Sequence, residues 1–210
     1  MKQILTHKTS VFGCFFILII LGGCVKNEIA NLDSQGKNII CFGDSLTFGY
    51  GVNPDEAYPS ILARLVDRPV INAGVNGNTS AQGLVRIKND VLAKEPFLVI
   101  IEFGGNDFLS KIPTSQTASN IEKMIKIIQE GKAIAAVVDI SSGPFLSEYK
   151  SLYRQICRRQ KAIFIPDVFL GITTNPSFKS DFLHPNSEGH KIIAQRIYRV
   201  IQPYLQKKFR

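Results

Sequence analysis

Short apolar runs alternate along the chain with longer segments in which apolar residues recur at helical spacing. The short runs predict five strands, at residues 38–42, 69–72, 97–103, 133–140 and 162–165. Their nearly continuous apolar character is typical of parallel strands that are covered on both faces. The alternation therefore predicts an α/β fold in three α/β/α layers, with a five-stranded parallel sheet in the middle.

Two of the longer segments predict amphipathic helices. The first has apolar residues at i, i+3, i+4 and i+7, namely Ile121, Met124, Ile125 and Ile128, and a similar stripe near the end comprises Ile193, Ile197, Val200, Ile201 and Tyr204. No internal repeat or second domain is indicated. Since ligands of such sheets bind at the carboxyl ends of the strands, the loops that follow the strands are the places to look for chemistry.

The first 23 residues have the pattern of an export signal. Lys2 and Lys8 precede an apolar run at residues 11–21, and Gly22 and Gly23 follow it. Eleven residues at 1.5 Å each span only about half of a ~30 Å hydrocarbon core, which disfavours a permanent membrane-spanning helix.

Residues 21–24, Leu-Gly-Gly-Cys, resemble the bacterial lipobox, in which the signal is removed before a cysteine whose thiol is lipidated. The resemblance implies a signal peptide at 1–23, a lipidated Cys24 with a tether at 24–36, and a catalytic domain at 37–210. With Val25 after the cysteine, it implies an exported lipoprotein, anchored in the outer membrane and facing the periplasm of a Gram-negative bacterium. The alternative is an ordinary cleaved signal in which Cys24 is incidental.

The composition excludes several classes of protein. With 45% apolar and 20% charged residues the chain is too balanced for disorder, and four cysteines are too few for a disulfide scaffold. Cys41 and Cys157 are expected to be buried thiols, although a disulfide between them stays open.

The formal net charge of +8 is concentrated towards the C-terminus, since residues 148–210 hold 12 basic and four acidic residues. Most of these basic residues fall on the polar faces of two late helices. They form either a solvated surface or a single face that lies against anionic lipid headgroups. A nucleic-acid partner is not expected for an exported lipoprotein.

Three loops after predicted strands carry candidate chemistry. Ser45 follows the first strand among glycines, which makes it a candidate nucleophile. Asn106 follows the third strand after two glycines, and its amide is a neutral donor suited to a developing oxyanion. The segment at 72–78, taken alone, is interpreted as an ordinary loop before a helix.

Asp181 lies three residues before His184 near the C-terminus, and Pro185 keeps His184 in a loop. An acid at this spacing can bond one ring nitrogen, which leaves the other nitrogen free to accept a serine proton. These two residue types also ligate metals, but only His184 and His190 remain after signal removal and no metal-binding motif completes a shell, so no metal site is predicted. His190 is the competing base, although no acid lies three residues before it.

Together these blocks resemble the GDSL or SGNH hydrolase family, which is named for Ser, Gly, Asn and His in four such blocks. The resemblance covers residues 38–205 and implies the SGNH (flavodoxin-like) hydrolase fold and catalysis without a cofactor. It assigns Ser45 as nucleophile, His184 as general base and then acid, and Asp181 as the acid that orients His184. The Ser45 and Gly74 backbone amides and the Asn106 side chain would form the oxyanion hole.

Within that family, residues 72–83 and 101–108 look most like the periplasmic acyl-CoA thioesterase/lysophospholipase/arylesterase group. The implied function is a serine esterase or thioesterase that hydrolyses a lysophospholipid, an aryl ester or a fatty-acyl thioester through an acyl-enzyme on Ser45. Phe182 stands where many members have glycine and is expected to place an aromatic ring at the acyl pocket. The alternatives are a polysaccharide or peptidoglycan O-acetylesterase and a non-catalytic lipid-binding envelope lipoprotein.

Overall fold

The computed structural model describes residues 28–142 and 146–208 and has the predicted three-layer α/β/α architecture. Its sheet has five parallel strands in the order β2-β1-β3-β4-β5. The strands are β1 (Asn38–Gly43), β2 (Val70–Gly74), β3 (Pro96–Glu102), β4 (Ile134–Val138) and β5 (Ile163–Ile165). All five predicted strands are confirmed, and each predicted boundary lies within two residues of the observed one.

Within the described residues, seven α-helices connect and cover the strands: α1 (Ser45–Phe48), α2 (Tyr58–Val66), α3 (Ser80–Asp90), α4 (Gly105–Leu109), α5 (Thr114–Glu130), α6 (Ser147–Gln160) and α7 (Ser187–Lys208). Helices α3, α5 and α6 pack side by side on one face of the sheet, and α2 packs against α7 on the other. This division follows from right-handed crossovers, because the chain moves from β1 to β2 in one direction and from β2 to β5 in the other.

The two late helices that carry most of the basic residues lie on opposite faces of the sheet. The basic residues of α6 and those of α7 therefore extend from opposite layers of the sandwich, although Lys150 of α6 and Arg196 of α7 both bond Asp167 after β5. The single face against anionic headgroups stays a prediction. Periodicity places a charged residue on the outer side of its own helix but does not determine which layer the helix joins.

The predicted helix stripes lie in the core. Ile121, Met124, Ile125 and Ile128 are buried under α5, as are Ile193, Ile197 and Ile201 under α7, while every residue of β3 is buried. Cys41 in β1 and Cys157 in α6 are buried free thiols, which excludes the disulfide alternative. Burial raises the pKa of each thiol to about 12, which makes both unreactive.

The folded domain begins earlier than residue 37. Ile29 and Leu32 pack against the core, Ser34 is buried, and the Asn31 side-chain amide donates to the carbonyl oxygens of Gln129 and Ala133 at 2.9 and 3.0 Å. The second half of the segment predicted as a tether is therefore part of the domain. Its polar, aperiodic sequence did not indicate this docking, because the contacts come from a few isolated residues without periodicity.

The predicted signal and Cys24 lie outside the described residues. Among the helices that are described, none is both long and apolar enough to cross a membrane.

Candidate active site

The carboxyl ends of three neighbouring strands bring the first group of predicted site residues together. In the register of the sheet, Gly43 at the end of β1 lies between Gly74 of β2 and Glu102 of β3. Ser45 begins the short helix α1 directly after β1, where the Asp44 side chain caps the helix by accepting from the Leu46 N–H at 3.0 Å. The nucleophile candidate thus stands on a sharp strand-to-helix turn at the ligand-binding edge of the sheet.

Asp181 and His184 form a compact local turn. Asp181 Oδ1 accepts from the backbone N–H groups of Leu183 and His184 at 2.7 and 2.8 Å, while Oδ2 lies 2.8 Å from His184 Nδ1. The backbone hydrogen bond from His184, followed by the bond to its ring, lowers the pKa of Asp181 to about 2. The carboxylate therefore stays ionised and fixes the orientation of the imidazole.

The other nitrogen of that ring reaches the serine. His184 Nε2 lies 3.1 Å from Ser45 Oγ, although 139 positions separate the two residues in sequence. The Tyr50 ring packs against the imidazole with a centroid distance of 4.6 Å. A continuous hydrogen-bonded series thus runs from carboxylate to imidazole to hydroxyl, which is the geometry for removing the serine proton.

The remaining predicted donors lie at the same edge but already have acceptors. The Gly74 N–H donates to Asn72 Oδ1 at 2.9 Å. Asn106 Nδ2 donates to Asp44 Oδ2 at 2.9 Å and to the Asn78 carbonyl at 3.1 Å. An oxyanion would therefore share or replace the two neutral acceptors, Asn72 Oδ1 and the Asn78 carbonyl, while the bond to Asp44 stays. This exchange is favourable because hydrogen bonds to a full negative charge are the stronger ones.

Two glycines of these blocks are required by close packing. A Cβ atom at Gly74 would lie 2.2 Å from the Phe48 nitrogen, so β2 approaches α1 as closely as it does only with glycine. The segment at 72–78 is thus more than the ordinary loop that it resembles in isolation. Gly104 has φ +129°, and a Cβ there would meet Ile140 and the Tyr153 hydroxyl. This glycine accommodates the protein's own side chains rather than a bound group.

A buried carboxyl pair supports the site, and the sequence did not single it out. Asp44 and Glu102 are 2% and 1% exposed, and Glu102 Oε2 accepts from the Thr47 hydroxyl at 2.9 Å and from the Asp44 N–H at 3.4 Å. Burial raises the pKa of Asp44 to about 6, and burial together with the Asp44 charge raises that of Glu102 well above its usual range. The sequence feature that could have revealed Glu102 is an acidic residue at the end of a long apolar strand.

Arg86 of α3 is a second supporting residue that sequence reasoning missed. Its guanidinium donates to the Gly43 and Ala73 carbonyl oxygens, both at 2.8 Å, and to Asn78 Oδ1 at 2.8 Å. It also stacks over the Phe42 ring at 4.5 Å. It therefore joins the carboxyl ends of β1 and β2 to the loop that carries Asn78. No pattern marks this residue, because an arginine on an amphipathic helix is expected to face solvent.

His190, the competing base, has no contact with Ser45. It is fully buried in α7, where Nδ1 accepts from the Tyr58 backbone N–H at 3.2 Å and Nε2 has no partner among the described residues. Burial, with a smaller effect of His184, lowers its pKa to about 4, so the ring is neutral. His190 is therefore a structural residue that joins α7 to the start of α2.

Phe182 lies outside the pocket, contrary to expectation. It is 87% exposed, and its ring lies 5.0 Å from Lys179 Nζ. The next residue, Leu183, lines the cleft instead, because Asp181 fixes the turn and directs alternate side chains outward and inward.

A cleft of about 290 Å³ opens at Ser45, Asn106 and His184. Its apolar lining comes from Leu46, Tyr50, Leu109 and Leu183. Among the described residues, no group of three or more His, Cys, Asp and Glu side chains is arranged to hold a metal ion. The cleft thus joins a hydrogen-bonded serine to an apolar surface that suits an acyl group.

Comparison with known proteins gives a consistent result. Residues 41–192 match the model of the GDSL-like Lipase/Acylhydrolase family. An arylesterase of Vibrio mimicus is 28% identical over 180 residues, which cover 80% of this chain and 90% of the relative. The thioesterase 1/protease 1/lysophospholipase L1 of Escherichia coli K12 is 25% identical over 178 residues, covering 81% of this chain and 86% of that protein.

Among solved structures, the psychrotrophic esterase EstA from Pseudoalteromonas sp. has a TM-score of 0.72 at 26% identity. The match covers 81% of this chain and 99% of that one. The similarity thus extends over most of both chains and includes every block that carries a candidate site residue.

Proposed function

Since this chain belongs to the GDSL-like lipase/acylhydrolase family and is a carboxylic ester hydrolase, we propose that it acts through an acyl-enzyme formed on Ser45. The observation that carries the proposal is the hydrogen-bonded series from Asp181 through His184 to Ser45, with separations of 2.8 and 3.1 Å. No other residue near the serine hydroxyl in the described part of the chain offers a comparably placed base.

In the first step, Ser45 Oγ attacks the carbonyl carbon of the ester while its proton passes to His184 Nε2. The carbonyl oxygen becomes an oxyanion that accepts from the Ser45 and Gly74 backbone N–H groups and from Asn106 Nδ2. When the intermediate collapses, the imidazolium returns the proton to the leaving alcohol or thiol. Water then attacks the acyl-Ser45 ester by the same route and releases the carboxylic acid.

The substrate we propose is an ester or thioester with an apolar acyl group, such as a lysophospholipid, an aryl ester or a fatty-acyl thioester. The apolar lining of the cleft supports this class. The relatives named arylesterase and thioesterase/lysophospholipase act on the same kind of bond. Export disfavours acyl-CoA itself as the physiological substrate.

A chain-length series of p-nitrophenyl esters tests this class. We expect kcat/KM to rise from acetate to medium-chain esters, because each added methylene that the cleft buries contributes about 0.8 kcal/mol. A steady fall from acetate onward would instead favour the O-acetylesterase alternative.

The nucleophile is tested by Ser45→Ala, with Ser115→Ala on the exposed surface of α5 as the matched control. Loss of the nucleophile is expected to lower kcat by about 10⁴-fold or more without changing the melting temperature, and to abolish labelling by a fluorophosphonate probe. Undiminished ester hydrolysis by the Ser45→Ala protein would refute the assignment. A wild-type protein that the probe does not label would favour the non-catalytic lipoprotein.

We also propose that the enzyme is an exported lipoprotein, anchored through Cys24 in the outer membrane and facing the periplasm. The order of basic, apolar and small residues before Cys24 supports this location. Mass spectrometry of the membrane-extracted protein should find a diacylglyceryl group on Cys24 and no residue before it. The Cys24→Ala protein should lack that group while keeping its activity on soluble esters.

A further inference from the structure

The described chain joins the domain at the amino ends of the strands. The Ala30 N–H donates to the Lys161 carbonyl at 2.9 Å, two residues before β5 begins. The Asn31 side chain donates to the Ala133 carbonyl, directly before β4. Since the strands are parallel, these contacts fix the N-terminal segment along one edge of the sheet.

The catalytic opening lies at the opposite edge. Ser45 comes two residues after the end of β1, and Asn106 lies four residues after the end of β3. The seven residues of β3, at a rise of ~3.3 Å each, separate the two edges by about 20 Å. The cleft therefore opens at the end of the domain that is farthest from the attached N-terminal segment.

The chain between Cys24 and Ala30 is too short to reverse this arrangement. Six residue steps reach at most about 21 Å when fully extended. A path from Ala30 to the catalytic edge must cover the full length of the strands and also pass around a helical layer, which is about 10 Å thick. A bilayer that holds Cys24 thus stays on the side of the strand amino ends.

We propose that the cleft faces away from the bilayer that carries the anchor, so that the enzyme hydrolyses acyl esters presented in trans: dissolved, in micelles or in a facing surface. This inference rests on the proposed function, both for hydrolysis at Ser45 and for the anchor at Cys24. Lipid esters of the enzyme's own leaflet are not its substrates. Tyr50, Leu109 and Leu183 are about half exposed around the opening of the cleft. These apolar side chains can receive an acyl group that arrives from the side of the domain opposite the anchor.

The test couples the chain that begins at Cys24 to vesicles of diether phosphatidylcholine through a maleimide-bearing lipid. Coupling is selective for Cys24 because Cys41 and Cys157 are buried, and it supplies the anchor whether or not cells lipidate this residue. The substrate is a diether lipid whose headgroup carries a fluorogenic octanoyl ester. It is placed either in the enzyme-bearing vesicles or in separate ones, and p-nitrophenyl octanoate reports total activity.

We expect hydrolysis of the probe in the enzyme's own vesicles to be at least tenfold slower than that by a variant with 20 Gly/Ser residues inserted after Asn27. Such a linker adds a root-mean-square reach of about 25 Å, enough to let the domain turn over. The same insertion after Arg210 is the matched control and should leave the rate low. Both insertions should leave hydrolysis of p-nitrophenyl octanoate and of the probe in separate vesicles unchanged.

Equal rates on the probe in the enzyme's own vesicles for the wild-type and long-linker proteins would overturn the inference. A failure of the proposed function gives a different result. Without hydrolysis at Ser45, p-nitrophenyl octanoate is not cleaved in any arm, whereas absence of natural lipidation is seen by mass spectrometry and leaves the coupled vesicles intact.

Discussion

Asn106 shows how one side chain serves both the resting enzyme and the proposed transition state. Its amide already bonds Asp44 and the Asn78 carbonyl, so it is held at the mouth of the cleft before substrate arrives. The buried Asp44 carboxylate in turn lies against Glu102, which burial favours in its protonated form. The amide is therefore positioned by a carboxylate that is itself fixed, which is how preorganised donors stabilise developing charge.

Replacing Asn106 tests this role. Asn106→Ala is expected to lower kcat by about 10²–10³-fold with little change in KM, because one oxyanion donor is lost. Steady-state kinetics on a p-nitrophenyl ester measure both constants, and Asn89→Ala on the exposed side of α3 is the control. A kcat within threefold of wild type, in a protein with unchanged melting temperature, would rule out Asn106 as an oxyanion donor.

His190 makes stability depend on pH. The unfolded chain binds a proton on this residue near pH 6.5, whereas the folded protein does so only near pH 4, because burial lowers the pKa. The free energy of unfolding should therefore fall as the pH drops from about 6.5 to 4, by up to about 3 kcal/mol from this group. His184 adds to this lowering of the pKa of His190, and Glu56 opposes it.

Urea unfolding at pH 7 and pH 4.5 measures this dependence. His190→Gln removes the titrating group and should reduce the difference in unfolding free energy between the two pH values. If the variant and the wild type lose the same stability over this interval, the buried imidazole does not cause the loss.

At the scale of elements, the site depends on how α1 and α3 meet the ends of β1 and β2. Thr79 and Gln82 form a capping box that fixes where α3 begins, in agreement with the helix predicted after the loop at 72–78. The short helix α1 was not predicted, since four residues carry no periodicity. It forms because Asp44 caps it and because Gly74 permits the close approach of β2.

Arg86 couples these elements, and Arg86→Met should disturb them together. The Ala73 carbonyl loses its Arg86 donor, whereas the Gly43 carbonyl keeps the Val75 N–H at 3.1 Å. An acceptor left unpaired costs about 1–3 kcal/mol. We expect a lower melting temperature and a kcat reduced about tenfold or more, because Ser45 and Gly74 shift relative to each other. Lys88→Met, on the exposed side of the same helix, is the matched control.

Thermal melts and initial-rate kinetics on both proteins provide the measurement. An Arg86→Met protein that is destabilised but keeps wild-type kcat would show that Arg86 stabilises the fold without positioning the site.

At the scale of the whole molecule, the N-terminal segment is part of the folded unit. A chain that starts at Lys37 loses the packing of Ile29 and Leu32 and the two hydrogen bonds of Asn31. These contacts contribute about 2–4 kcal/mol together, so the melting temperature should fall by about 5–15 °C. A chain that starts at Glu28 keeps every described contact and should melt like one that starts at Cys24.

Differential scanning calorimetry of the three chains compares them directly. If the chains that start at Lys37 and Glu28 melted at the same temperature, the docked segment would contribute nothing to stability.

The sequence by itself determined the five strands, the two amphipathic stripes and the positions of the site residues. These features follow from local periodicity and from turn chemistry that acts over a few residues, as in the bond between Asp181 and His184. Only the tertiary structure decided which distant groups meet: His184 with Ser45, Arg86 with the strand ends, and Glu102 with Asp44. It also placed the basic helices on opposite layers, since the layer that a helix joins depends on crossover handedness rather than on composition. The docking of Asn31 at the amino ends of the strands is a contact between distant residues as well.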